Sequence, residues 1–253
     1  MKSFALVLGL VVALPVLPLP AWSAEEEAPS SPYTPRPPIR IRSNGEFTAE
    51  NGVVQGSGTS HDPFVIRGWE IKAGRLDEGI YIRNVNAHYV IEGNKLYHDP
   101  PNETGMGIYL VNAGENGVIR FNHIHDNTLG IFVLDSLARI EGNVIESNFR
   151  AGSTVAGGVY LSARAPLLWD GIKNNTIRDN APWGVYRSPN VLGPFDFWAP
   201  IDASGNYWGS PLGPTTALRV GTPLGPLHVP LGLPTENYVT PTVLAAPWLL
   251  EEP

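Results

Sequence analysis

Along the middle of the chain, apolar residues alternate with other types over runs of only three to five residues, and the runs recur. The pattern glycine–apolar–aromatic–apolar occurs at Gly79-Ile80-Tyr81-Ile82, Gly107-Ile108-Tyr109-Leu110, Gly130-Ile131-Phe132-Val133 and Gly158-Val159-Tyr160-Leu161. A fifth copy, Gly184-Val185-Tyr186-Arg187, loses its last apolar position, and the glycines are spaced by 28, 23, 28 and 26 residues. A second pattern follows each of the first four: Ile91-Glu92-Gly93-Asn94-Lys95-Leu96, Ile119-Arg120-Phe121-Asn122-His123-Ile124, Ile140-Glu141-Gly142-Asn143-Val144-Ile145 and Ile172-Lys173-Asn174-Asn175-Thr176-Ile177. Five residues beyond each asparagine stands Asp99, Asn127, Asn148 or Asn180. Alternation with a period of two marks a strand with one buried face, and no segment here is long enough for an amphipathic helix. Strands this short cannot bury that face alone, whereas stacked repeats cover one another. The pattern predicts an all-β solenoid, a single-stranded parallel β-helix of about six to seven coils. Leucine-rich repeats need regularly spaced leucines that are absent, and a propeller needs longer blades.

Strand alternation then assigns directions to side chains. Ile80, Ile108, Ile131 and Val159 should stack inward, and so should the rows Ile91, Ile119, Ile140, Ile172 and Leu96, Ile124, Ile145, Ile177. Asn94, Asn122, Asn143 and Asn175 fall where the chain turns, where asparagine tolerates left-handed backbone and stacked amides can bond from coil to coil. Two rows point outward. Tyr81, Tyr109, Phe132, Tyr160 and Tyr186 should form an exposed aromatic ladder, and Glu92, Arg120, Glu141 and Lys173 a ladder of alternating charge that fixes register.

Composition sharpens this picture. Gly 27 and Pro 25 exclude a helical bundle, while 43% hydrophobic residues are enough for a core. With no cysteine there is no disulfide framework or thiolate chemistry, and a net charge of −7 argues against nucleic acid as a partner. Residues 1–24 read as a secretory signal: Lys2, an apolar run from Phe4 to Val16, then Ala21-Trp22-Ser23-Ala24, with the better cut after Ser23. An uncleaved anchor is the competing reading, although the run falls short of the ~20 residues needed to span a bilayer. No later stretch is apolar enough to span, so the chain is expected to be exported: periplasmic, cell-surface or extracellular. Residues 25–38 (EEEAPSSPYTPRPP) read as an acidic, proline- and serine-rich linker. The β-helix domain is expected over 39–250, with N-terminal coils and cap at 39–78, regular coils at 79–209 and a proline-rich cap at 210–250 that covers the open end.

Ser57-Gly58-Thr59-Ser60-His61-Asp62-Pro63-Phe64-Val65-Ile66-Arg67-Gly68-Trp69-Glu70-Ile71 resembles the opening signature of secreted right-handed parallel β-helix repeat proteins. Gly205-Asn206-Tyr207-Trp208-Gly209-Ser210-Pro211-Leu212-Gly213-Pro214 and Pro247-Trp248-Leu249 resemble their terminal coil. The group includes carbohydrate-binding and sugar-hydrolase β-helices and the periplasmic copper-accessory β-helix protein of nitrous oxide reductase maturation. The resemblance runs from about Ile39 to Leu250 and implies a right-handed coil. It implies no single activity, because fold alone does not carry function.

These residues bear on three chemistries. The aromatic row suits either self-stacking under a covering segment, a platform for sugar rings, or a protein partner. A hydrolase or lyase needs carboxylates converging on one face. The polygalacturonase-like motifs Asn-Thr-Asp, Asp-Asp, Gly-His-Gly and Arg-Ile-Lys have no copy here, and only a loose set remains: His98, Asp126 and Asp179 in one row, with His125 beside them. Among His98, His123 and His125 no specific metal site is expected, and Met106 alone cannot make a copper(I) cluster, so no metal or cofactor is assigned. The leading expectation is a non-catalytic binding module for polysaccharide or envelope glycan, its ligand on Tyr81, Tyr109, Phe132, Tyr160 and Tyr186. A polysaccharide lyase or glycoside hydrolase, and a structural envelope protein, are the alternatives.

Overall fold

The short alternating runs become strands of three sheets that wind around one aliphatic core. The computed structural model describes residues 31–74, 77–99, 105–161, 171–188 and 201–210, then 212–216, 218–222, 225–229, 238–239, 243–245 and 247–253. The expected signal and most of the expected linker lie outside these residues, as does part of the expected C-terminal cap. Pro32–Pro253 form one unit.

Each coil contributes one strand to each sheet. The first sheet runs Ile39–Ile41, Glu78–Arg83, Met106–Val111, Leu129–Leu134, Gly157–Leu161 and Trp183–Arg187, followed by Tyr238–Val239 and Thr215–Thr216. The second runs Phe64–Arg67, Tyr89–Glu92, Gly117–Arg120, Ala138–Glu141 and Ile172–Lys173, with Val53–Gln55 added antiparallel at its start. The third runs Thr34–Arg36, Trp69–Ala73, Lys95–His98, His123–His125, Val144–Glu146 and Thr176–Arg178. Six strands in the third sheet make six coils among the described residues, all paired in parallel. Toward the C-terminus, Leu218–Thr222 and Gly225–Val229 form an antiparallel pair.

Register places like over like. Ile80, Ile108, Ile131, Val159 and Val185 stack in the first sheet. Ile66, Ile91, Ile119, Ile140 and Ile172 stack in the second. Ile71, Leu96, Ile124, Ile145 and Ile177 stack in the third. Each of these side chains is at most 1% exposed, and each isoleucine or leucine buried in this way contributes about 2 kcal/mol. The charge ladder is in register too, with Arg67 above Glu92 and the order Glu92, Arg120, Glu141, Lys173 unbroken.

The corners explain why glycine opens each repeat. A Cβ on Gly107 would lie 2.6 Å from the Gly130 carbonyl oxygen, and one on Gly130 would lie 2.6 Å from that of Gly158. The next corner carries the asparagine ladder. Asn94, Asn122 and Asn143 each donate from Nδ2 to Oδ1 of the next amide at 3.0, 3.0 and 2.9 Å. Asn175 passes the same bond at 2.9 Å to Asn206, a fifth member that the sequence pattern left in the closing motif. A second ladder, Asn127–Asn148–Asn180, runs beside the third sheet with bonds of 2.9 Å.

Two expectations need correction. Thr34–Arg36, within the expected linker, pairs in parallel with Trp69–Ile71. It is the outermost strand of its sheet, bonded along one side only, so Pro35 is tolerated there. Asp99 holds the sequence position of Asn127, Asn148 and Asn180, but it is exposed and ion-paired with Lys72. His98 takes the inner place instead, because its strand continues to residue 98. In later coils a left-handed residue (Asp126, Ser147 or Asp179) turns the following asparagine inward.

Each ladder asparagine should be costly to lose. Asn122 Nδ2 donates to Asn143 Oδ1 and to the Ile91 and Arg120 carbonyls, and its Oδ1 accepts from the backbone and side-chain amides of Asn94. Leaving buried partners unsatisfied costs ~1–3 kcal/mol each. Asn122→Ala is therefore expected to cost about 3 kcal/mol or more in urea unfolding. The exposed Arg83→Ala should stay within ~0.5 kcal/mol, and equal costs would remove the ladder from its structural role.

Candidate functional site

The first sheet brings all five predicted ring positions into one line. Tyr81, Tyr109, Phe132, Tyr160 and Tyr186 are successive register partners, spanning four coil steps or about 19 Å. Ring centroids lie 5.3, 4.8, 4.7 and 5.0 Å apart in that order. Tyr109 and Phe132 are parallel to within 1°, whereas Phe132 meets Tyr160 edge-on at 81°. Trp183 extends the line, its ring 4.8 Å from that of Tyr186. Contrary to the exposed ladder expected, the rings are half-buried, because each is covered above and below by its neighbours. One long edge remains in solvent.

Electrostatics leave this strip uncharged over most of its length. Arg40 stands at its head, in register with Tyr81, and is held by Asp77 and Glu78 at 2.5 Å each. Burial, then the neighbouring Tyr81 and Glu78, push the Tyr109 phenol up from its ordinary range. Burial with the adjacent Tyr160 pushes Tyr186 up to about 12. The Tyr109 and Tyr186 phenols therefore stay protonated. Among the described residues the hydroxyls of Tyr81, Tyr109 and Tyr160 make no hydrogen bond. Alongside lie Val111 and Leu134, partly exposed and in register. Chemically this is a row of stacked, tilted and edge-on rings edged with hydroxyls.

The residues considered for catalysis are not brought together. His98 is 1% exposed and turned inward, its Nδ1 2.7 Å from Asn127 Oδ1 and its Nε2 2.8 Å from the Asp77 carbonyl oxygen, so it caps the second amide ladder. Asp126 and Asp179 occupy the outer corner two coils apart, with Ser147 between them. Sharing a register row with His98 is therefore not sharing a face. Asp126 Oδ2 accepts from His125 Nδ1 at 2.6 Å.

His125 belongs to a polar network on the outer face of the third sheet. Its ring stacks on Tyr97 at 5.1 Å and lies 4.4 Å from His123. His123 Nε2 is 2.7 Å from Glu146 Oε1, and Arg178 Nε is 2.6 Å from Glu146 Oε2. Arg178 reaches on to Glu252, and Lys95 pairs with Glu70 at 3.0 Å. Burial raises Glu146, but the hydrogen bonds from His123 and Arg178 outweigh it and hold the carboxyl below its ordinary range. Burial also drives His125 down, more than the Asp126 hydrogen bond lifts it. Among the described residues the three carboxyls with displaced titration, Glu50, Glu146 and Asp202, all move down, whereas a glycosidase general acid must be raised. No group of three or more metal-ligating side chains converges among the described residues.

One feature escaped the sequence pattern. Phe121 occupies the corner where Gly68, Gly93 and Gly142 stand in other coils, with φ of +55° and 63% of its surface exposed. It borders an open groove of about 710 Å³ lined also by Pro32, Thr34, Val54, Arg67, Trp69 and Glu92. The missing glycine before Asn122 was the available signal.

Coils, core and outward rows together define a parallel β-helix. The family model for the right-handed beta helix region matches residues 39–190, more than half of the chain, and the protein belongs to that family. No curated protein and no solved structure matches the chain.

The histidine network makes stability dependent on pH. A histidine depressed in the folded state takes up its proton more readily when unfolded, so its contribution is complete above the unfolded value of ~6.5 and is lost as pH falls below it. Glu146, also depressed, adds a loss below its ordinary value of 4.5. Chemical-denaturation midpoints are expected to fall between pH 7 and 5, and His125→Gln should flatten that limb. An unchanged slope in the variant would remove His125 as its source.

Proposed function

We propose that this protein is an exported, non-catalytic β-helix module that binds polysaccharide or cell-envelope glycan along the aromatic track of the first sheet. The observation that carries the reading is the in-register row of Tyr81, Tyr109, Phe132, Tyr160 and Tyr186, three of whose phenols have no partner among the described residues. Sugar C–H groups can rest against the exposed ring edges, and the phenol groups there can meet sugar hydroxyls. A track of about 19 Å at strand spacing accommodates several consecutive sugars of an extended chain. Export is supported by the sequence of residues 1–24.

Against a hydrolase or lyase on the third sheet stand its pairings. Asp126 is engaged by His125, and Glu146 is engaged by His123 and Arg178. The Glu146 carboxyl is held below its ordinary range rather than raised. Release of reducing sugar by the wild-type protein, abolished in Asp126→Asn or Asp179→Asn, would reverse this order of readings.

A glycan array on purified protein, followed by affinity electrophoresis, tests the proposal. Tyr109→Ala combined with Tyr160→Ala should weaken retention at least tenfold, about 1.4 kcal/mol, with the strand signal in circular dichroism retained. Undiminished retention by the folded double variant would show that the track is not the site.

A further inference from the structure

Both polar atoms that face the buried His98 ring are acceptors. Asn127 Nδ2 donates to the His125 carbonyl at 2.8 Å and to Asn148 Oδ1 at 2.9 Å, and the Asn127 backbone N–H donates to that same oxygen. These bonds fix the amide, because turned over it would set its oxygen against two others. Asn127 Oδ1 therefore points back at His98, where Nδ1 lies 2.7 Å away. On the other side of the ring, Nε2 lies 2.8 Å from the Asp77 carbonyl oxygen. Neither oxygen has a hydrogen to give.

A neutral imidazole carries one hydrogen and one lone pair. In either tautomer, one ring nitrogen of His98 would press its lone pair against that of an oxygen, in a site where the residue is 1% exposed. With hydrogen on both nitrogens, both contacts become charge-assisted hydrogen bonds. The amide chain favours the positive charge further. Asn127, Asn148 and Asn180 donate in one direction, so their dipoles align with the negative end at Asn127 Oδ1. At the same end of the first ladder, Asn94 Oδ1 accepts from the Trp69 backbone N–H at 3.1 Å. In the second ladder the His98 ring takes that place.

The surroundings are shaped to this contact. A Cβ on Gly105 would overlap Nε2 and lie 2.6 Å from the Asp77 carbonyl oxygen, so only glycine there admits the bond. The register partner of His98 in the preceding coil is Ala73, which is fully buried. Charged side chains on the packed elements are engaged with one another: Lys72 with Asp99, Lys95 with Glu70, His125 with Asp126, and Asp77 and Glu78 with Arg40. Among the described residues none of them bonds to the His98 ring. The two carbonyl-type oxygens alone carry its charge.

We propose that His98 is held as an imidazolium, a buried cation that closes the second amide ladder and acts as a pH-dependent lock between that ladder and the Asp77 backbone. Loss of its proton leaves either the ladder or the Asp77 carbonyl without a donor, beside the clamp that Asp77 and Glu78 place on Arg40. Long-range proton–nitrogen correlation spectra of the nitrogen-15-labelled protein at pH 7.5 test the charge directly. Both His98 nitrogens, assigned through its backbone, should resonate in the protonated range, where a neutral ring shows one protonated and one bare nitrogen.

Linkage gives a second readout. A histidine that holds its proton more firmly when folded contributes fully below the unfolded value of ~6.5, and that contribution declines as pH rises above it. This is the reverse of His125, so the fall in denaturation midpoint between pH 7 and 5 is the remainder of opposed contributions. His98→Gln should steepen that fall, whereas His125→Gln flattens it. A bare nitrogen on His98 at pH 7.5, or a His98→Gln slope no steeper than the wild type, overturns the proposal. The wild-type spectrum decides alone if the variant does not fold.

Discussion

Everything in this molecule depends on each coil presenting the next with the same residue at the same place. A strand of three to six residues has little intrinsic stability, and its backbone groups find partners only in the coils above and below. The two amide ladders enforce that correspondence most strictly. An asparagine shifted by one residue would lose its side-chain partner, the backbone amide it accepts from and the carbonyl it donates to, all in the buried corner. The aliphatic rows respond to the same shift by turning outward. Hydrophobic burial supplies most of the favourable free energy, while the amides set where it can be realised.

That constraint frees the outer surface. Once the inward rows hold register, the outward positions can carry any residue that stacks, and the three sheets use them differently. The first carries rings, the second alternates charge, and the third carries the His123–Glu146–Arg178 network. Opposite faces of one short strand thus answer to separate demands. This is why a track of five rings can persist beside a core made almost wholly of isoleucine, leucine and valine.

The aliphatic rows, the aromatic line, the charge ladder and the first four ladder asparagines were readable in the sequence, because each follows from a period of two within strands and a repeat between coils. What was not readable lies at corners and ends. His98 and Asp126 align in sequence but face opposite ways, since one left-handed residue decides which side chain turns inward, and hydrophobic pattern does not encode that choice. Thr34–Arg36 was hidden by its prolines, which are harmless in a strand bonded along one side. Phe121 looked like ordinary variation between coils until its backbone angle and exposure were known.

The amide ladder also has a direction. Every link from Asn94 to Asn206 donates the same way along the axis, so the stack has a chemical head and a chemical tail. At the tail, Asn206 directs both Nδ2 hydrogens to carbonyls of residues before it, those of Ile172 and Ala203. Asn122 also donates to two preceding carbonyls, and what Asn206 lacks among the described residues is a following amide oxygen to receive the onward bond. Stacks of identical strands can grow without limit. In this one the polarity of the ladder leaves an acceptor at one end and a donor at the other.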